Sequence, residues 1–133
     1  MLRLGNEIGR GGSRICYALD DRPGYVVKIP HGRNRKRHQY NVIEGRIWSH
    51  APDDLREWLV PVSSYCPNGE WLIMERGEPI TDEQRPKSAH RWLHDWRKVN
   101  NWVEIRGRVL LCDYGQRHIA KHMKLNIELP RHA

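Results

Sequence analysis

The first third of the chain is organised by its turns. Leu4-Gly5-Asn6-Glu7-Ile8 leads into Gly9-Arg10-Gly11-Gly12-Ser13, and Arg14-Ile15-Cys16-Tyr17-Ala18-Leu19 follows as a strand. A glycine-rich turn between β-prone runs closes a hairpin, and its glycines let backbone N–H groups approach anionic oxygens such as phosphate. A second turn, Asp20-Asp21-Arg22-Pro23-Gly24, delivers Tyr25-Val26-Val27-Lys28-Ile29-Pro30, a β-rich run with one lysine at its centre. An ammonium is unfavourable in a strand core, so Lys28 is expected to face a cleft; the plainer alternative is an edge-strand lysine that discourages aggregation. Tyr40 to Trp48 has the apolar periodicity of a helix and makes Glu44 the best ion-pair partner for Lys28. Gly45 beside it weakens the helix signal, and a solvated glutamate is the simpler alternative.

Three polar residues further on are set at a telling spacing. Asp95-Trp96-Arg97-Lys98-Val99-Asn100 has the form D-x-x-x-x-N, and Asp113-Tyr114-Gly115 follows thirteen positions later at the end of an apolar hairpin. A transferring phosphoryl group carries charge on several oxygens, neutralised by Mg²⁺ in hard oxygen ligands, which Asn100 and Asp113 could supply. The acceptor hydroxyl needs a carboxylate to orient it and take its proton, and Asp95 is the candidate.

The order of these parts resembles the protein kinase-like superfamily over nearly the whole chain. Glycine loop, Lys28, helix with Glu44, strand Leu59-Val60-Pro61-Val62, strand Trp71-Leu72-Ile73-Met74-Glu75, D-x-x-x-x-N loop and D-Y-G occur in the expected succession. The stretch Gly9-Arg10-Gly11-Gly12-Ser13-Arg14-Ile15-Cys16-Tyr17 is more specifically similar to the opening of the PhoP regulatory network kinase-like proteins. The resemblance implies ATP and Mg²⁺ as cofactors. Gly9, Gly11, Gly12 and Ser13 would cover the phosphates, with Lys28 on them and Glu44 orienting it. Met74 would be the gatekeeper and Glu75 the first hinge residue offering backbone partners to adenine. Asn100 and Asp113 would bind metal and Asp95 would act as base.

The chain also departs from that pattern. Arg14 stands near the place of the loop's third glycine, so nucleotide would be gripped by a guanidinium or its pocket blocked. His94 replaces the arginine of H-R-D and Leu93 its histidine. About twenty residues between Glu75 and Asp95 leave room for one short helix near Gln84 to Leu93. Eighteen residues follow Gly115, without A-P-E or a long activation segment. The expectation is a reduced C-lobe lacking the usual platform for a peptide substrate.

A formal charge of +7 asks for an acidic partner, and ATP supplies one. Nucleic acid is the less favoured alternative, suggested by Arg33-Asn34-Arg35-Lys36-Arg37-His38 and by Arg91, Arg97 and Lys98. No run of eighteen apolar residues and no leader pattern is visible, from which a cytoplasmic protein without a membrane span is expected. Cys16, Cys66 and Cys112 fit reduced, buried thiols in or beside apolar strands better than disulfides or a zinc site, and Cys112 fits core packing better than a place in the cleft. The chain has six tryptophans and no phenylalanine. Trp48, Trp58 and Trp71 fit the core, while Trp92, Trp96 and Trp102 could either dock a partner or replace missing packing. His118 and His122 have i, i+4 spacing on a helix but no third metal ligand, so a solvated helix face is the better reading.

The resulting expectation is an α+β, kinase-like single domain over residues 1–133. An antiparallel five-stranded N-lobe with one helix (1–75) and a hinge (76–80) precede a minimal C-lobe (81–133). That C-lobe would hold a short helix, the catalytic loop, a hairpin from Trp102 to Cys112 turning at Arg106-Gly107, and a tail helix. The preferred function is a minimal phosphotransferase passing the γ-phosphoryl of Mg-ATP to a protein Ser/Thr or another hydroxyl. The alternative is a catalytically weak or inactive regulatory module that binds a partner protein; in either case a partner or a second copy would complete the small C-lobe.

Overall fold

The structure, a computed structural model, describes residues 2–32 and 35–127. Its strands in chain order are β1 (Leu4–Arg10), β2 (Arg14–Leu19), β3 (Tyr25–Pro30), β4 (Val62–Tyr65), β5 (Leu72–Glu75), β6 (Glu78–Pro79), β7 (Trp102–Ile105) and β8 (Arg108–Leu111). The first five form one antiparallel sheet in the order β1-β2-β3-β5-β4, and the last three a second sheet in the order β6-β7-β8. Register sets Cys16 opposite Lys28 and Lys28 opposite Leu72. Because side chains alternate across a strand, Val26 and Lys28 share one face of β3, while Val27 joins Leu19 and Ile73 in a small cluster on the other.

Helix α1 (Gln39–His50) packs on the Lys28 face, with Asn41 through Gly45 buried in succession. Nothing at its start suits a helix N-terminus. The preceding 3₁₀ turn, Arg35–His38, brings basic residues, the first turn of α1 has no acid, and His38 provides no side-chain cap. Packing therefore holds this helix against its dipole. Gly45, which weakens the helix signal in the sequence, has a packing reason: a Cβ there would overlap the Tyr65 ring of β4. The glycine costs about 1 kcal/mol of helix propensity and lets helix and sheet close together.

Several boundaries differ from expectation. The strand expected at Leu59-Val60-Pro61-Val62 begins only at Val62; Leu59 instead forms a parallel bridge with Leu111, with Leu111 N–H donating to Trp58 O at 2.7 Å and Val60 N–H to Leu111 O at 3.0 Å. This pairing stitches the end of the first sheet's helical layer to β8. A second short helix, α2 (Asp53–Arg56), adds to the one expected. The helix expected from Gln84 to Leu93 is absent. A 3₁₀ turn at Asp82–Gln84, closed by a Thr81/Gln84 capping box, stops at Arg85, which is extended with ψ 133°. Pro86 follows, and a residue before proline is driven out of the helical region. The segment read as a hinge, 76–80, contains β6.

Other expectations hold. The β7–β8 hairpin turns at Arg106 and Gly107 with φ of 50° and 79°, positive at both central positions as a two-residue I′ turn requires. The tail helix is α3 (Arg117–His122), with Ile119 and Ala120 buried. One apolar core runs through both sheets, from Val26, Ile43 and Met74 through Leu59 and Trp102 to Tyr114 and Ile119. The Tyr114 hydroxyl donates to Val60 O at 2.7 Å inside it. Trp58 and Trp102 meet edge to face at 6.2 Å, Arg56 lies over Trp48, and Trp71 packs in the outer cluster. Among the described residues no helix is long and apolar enough to cross a membrane.

Candidate functional site

A cleft of about 730 Å³ opens between the two sheets. Gly9, Gly11, Gly12 and Ser13 form its lip, Val26, Lys28 and Met74 its sheet wall, and Asn100, Cys112 and Asp113 face them. Glu75 and the 76–80 segment close the back. Of the candidate catalytic, nucleotide-binding and metal-binding residues, only Glu44 and Asp95 do not line this space, and for different reasons.

Glu44 lies behind Lys28, fully buried, as the hub of the wall. Its Oε1 accepts from Lys28 Nζ at 2.6 Å and Arg14 Nη1 at 2.9 Å; its Oε2 accepts from Arg14 Nη2 at 3.2 Å, Tyr114 N–H at 2.9 Å and Gly115 N–H at 2.8 Å. Gly115 is needed for that approach, since a Cβ would stand 2.6 Å from Tyr40 O. Lys28 also donates to Cys112 O. The expected Lys28–Glu44 pair is therefore present and is part of a larger network.

Arg14 completes it. The guanidinium is buried and reaches Asn41 Oδ1 at 3.0 Å as well as Glu44, and its Nη2 bonds Asp113 Oδ1 at 2.9 Å. Asn41 in turn donates to Lys28 O and Gly69 O, each at 3.0 Å, clamping α1 to β3. Asn41 escaped the sequence reading, although its place three residues before Glu44 on one helix face is a usable signal.

The electrostatics follow from this network. Burial alone would push the Glu44 carboxyl up, but Arg14 and Lys28 outweigh it and bring the pKa down to about 2. Burial would lower the Arg14 pKa, and the carboxylates of Glu44 and Asp113 more than reverse that. Around these charges the thiols stay protonated: burial raises Cys112 to about 12 and raises Cys16 as well, despite Lys28 nearby. Both thiols pack against the core, as expected of Cys112, and also line the cleft. All three cysteines are free and partly accessible.

Asp95 sits elsewhere. It opens the 3₁₀ turn Asp95–Arg97, its carboxylate accepts from Gln116 Nε2, and its carbonyl accepts from Asn101 Nδ2 at 2.9 Å. Gln116, just before α3, thus draws Asp95 toward the tail helix. Trp92 lies outside any helix and Trp96 within the 3₁₀ turn Asp95–Arg97; both are half-buried against the core and serve its packing. Arg91 and Arg97 lie over their rings at 5.5 and 5.3 Å. His122 is exposed, as a solvated helix face requires, and stacks on Trp92 at 5.3 Å, while His118 is half-buried and stacks on His94 at 3.9 Å. Arg33 and Asn34 of the basic run lie outside the described residues.

The cleft can hold a flat apolar ring against Val26 and Met74, with an anion near Lys28 and the glycine lip. Two expected donors are already used: Glu75 N–H donates to Pro61 O at 3.1 Å and Gly11 N–H to Arg14 O at 2.9 Å. The Glu75 carboxylate is bound by Arg106 through bonds of 2.9 and 3.2 Å. Asn100 and Asp113 both line the cleft, and Arg14 Nη2 stands on Asp113 Oδ1 at 2.9 Å. Among the described residues no group of three or more His, Cys, Asp or Glu is arranged to hold a metal ion. No family model matches the chain, and a search of curated proteins finds no match.

Proposed function

We propose that this chain is a kinase-like nucleotide-binding module that acts by engaging a partner protein, with phosphoryl transfer weak or absent. The observation that carries the proposal is the buried Lys28–Glu44 pair, at 2.6 Å, set under a glycine-rich lip and opening onto an apolar-walled cleft. A lysine held this way meets phosphate oxygens, and Val26 and Met74 suit a base. Weak chemistry is favoured because the Asp95 carboxylate accepts from Gln116 and Asp95 does not line the cleft. Calorimetric titration with ATP and ADP tests the reading. Saturable binding that Lys28→Met abolishes supports it; equal heats for wild type and variant reject it.

A second reading, transfer of the γ-phosphoryl group to a protein Ser/Thr or other hydroxyl, is favoured by one observation: Lys28, Asn100 and Asp113 share the cleft. It requires Asp95 to leave Gln116, which completion of the site by a partner or a second copy would have to drive. Nucleotide turnover measured at rising protein concentration and with Asp95→Ala decides. Turnover that rises with concentration and vanishes in the variant supports transfer, and turnover unaffected by the variant removes it.

A further inference from the structure

The chain's own cation occupies the carboxylate on which a metal would be expected. Arg14 Nη2 bonds Asp113 Oδ1 at 2.9 Å, while the rest of the guanidinium is fixed by Glu44 and Asn41. The two partners differ in exposure: Arg14 is 8% exposed, whereas the Asp113 side chain is 53% exposed and meets Arg14 at the cleft surface. Arg14 and Lys28 are held side by side through the same oxygen of Glu44. We propose that Arg14 takes the place of the metal: the cleft binds a nucleoside di- or triphosphate as its metal-free anion, with Asp113 as the counter-ion that the phosphate displaces.

The inference rests on the nucleotide-binding reading and fixes its cofactor requirement. A guanidinium is permanently charged, and displacing Asp113 frees one Nη2 N–H for a phosphate oxygen while Glu44 and Asn41 hold the other Nη hydrogens. The exchange replaces one anion on Arg14 with another, so no new buried cation needs a partner. A divalent ion on Asp113 would instead stand against the guanidinium in a wall where screening is poor.

The test is calorimetric titration of ADP into the whole chain in EDTA and in excess Mg²⁺, for wild type and Asp113→Ala. Asp113 is exposed, so its loss leaves the Glu44 network in place, and a circular dichroism melt checks this. Wild type is expected to bind in EDTA within about threefold of its affinity in Mg²⁺. Asp113→Ala is expected to bind about threefold or more tighter in EDTA, because a competing anion has gone. Wild-type binding only with Mg²⁺, or Asp113→Ala binding equal to or weaker than wild type, overturns the metal-free mode while leaving the nucleotide reading intact. No binding by either protein under either condition overturns the nucleotide reading itself. Where it folds, Arg14→Met adds a third arm: a loss of about tenfold or more in EDTA is expected, and unchanged affinity contradicts a phosphate contact by Arg14.

Discussion

Glu44→Gln tests the network at its hub. The carboxylate accepts five hydrogen bonds, from Lys28, Arg14 twice, Tyr114 N–H and Gly115 N–H. An amide of the same shape has one oxygen. With that oxygen toward Lys28 and Arg14, the NH₂ faces two buried backbone donors; flipped, it faces two cations. An orphaned buried N–H costs about 1–3 kcal/mol, and removing one member of a buried ion pair about 3–5 kcal/mol. The costs overlap because one carboxylate serves both, and Arg14 keeps Asp113, so the expected loss is about 4 kcal/mol. Against a domain stability of about 5–15 kcal/mol that is a large fraction. Urea unfolding followed by tryptophan fluorescence and by circular dichroism measures it, with Asp113→Asn as a control expected to shift stability by about 1 kcal/mol or less. A loss below about 1 kcal/mol for Glu44→Gln would refute the hub.

The same residue gives the acid limb of wild-type stability. Its folded pKa, about 2, lies below the ordinary 4.5, so the unfolded chain takes up the proton first. The Glu44 contribution is fully present above pH 4.5 and is lost as pH falls toward 2, amounting to about 3 kcal/mol. Glu44→Gln should lack this component, and parallel acid profiles for the two proteins contradict the assignment.

Burial lowers the His118 pKa, and His94 stacked at 3.9 Å lowers it further, against Trp92 O and Asp95, which favour its charge. Its contribution is therefore present above pH 6.5 and lost as pH falls through the lowered value. His118→Gln should flatten thermal melting temperature between pH 7 and 5, and an unchanged slope removes His118 as the cause. Gly45→Ala should destabilise by about 1–3 kcal/mol through the Tyr65 ring, with Tyr65→Ala suppressing most of the difference in a double-mutant cycle; additive effects would contradict the contact. Cys112, with its pKa near 12, holds about one thiolate in ten thousand at pH 8. Mass mapping after iodoacetamide should show Cys112 labelled far more slowly in the folded chain than in urea, and equal labelling in both excludes a thiol held protonated by its surroundings.

What was legible in the sequence is what short-range patterning encodes. The β-rich runs and their turns gave the first five-stranded sheet, and the Lys28–Glu44 pair followed from an unfavourable lysine needing a carboxylate within reach. Arg106-Gly107 signalled its own turn because left-handed backbone at two successive positions restricts the residues that fit. The rest depended on contacts between distant segments. Leu59 pairs with Leu111 where local pattern suggested an early start to β4, and Pro86 cut off a helix that chain length alone allowed. The sequence marked Gly45 as a fault in a helix, and only the Tyr65 ring shows what the glycine is for.

Arg14 and Asp95 are the instructive cases for the site. Each sits at a spacing that a motif would assign to phosphoryl chemistry, and in each the partner that redirects it lies far along the chain. Arg14 meets Asp113, 99 residues away, and Asp95 meets Gln116, 21 residues away. Spacing specifies which residues arrive in one neighbourhood; it does not specify which oxygen faces which donor once they are there. The proposal of metal-free binding therefore follows the buried cation on Asp113 and not the motif spacing that drew attention to it. The EDTA titration separates the two directly: a site working as the spacing implies needs the metal, whereas a wall carrying its own guanidinium does not.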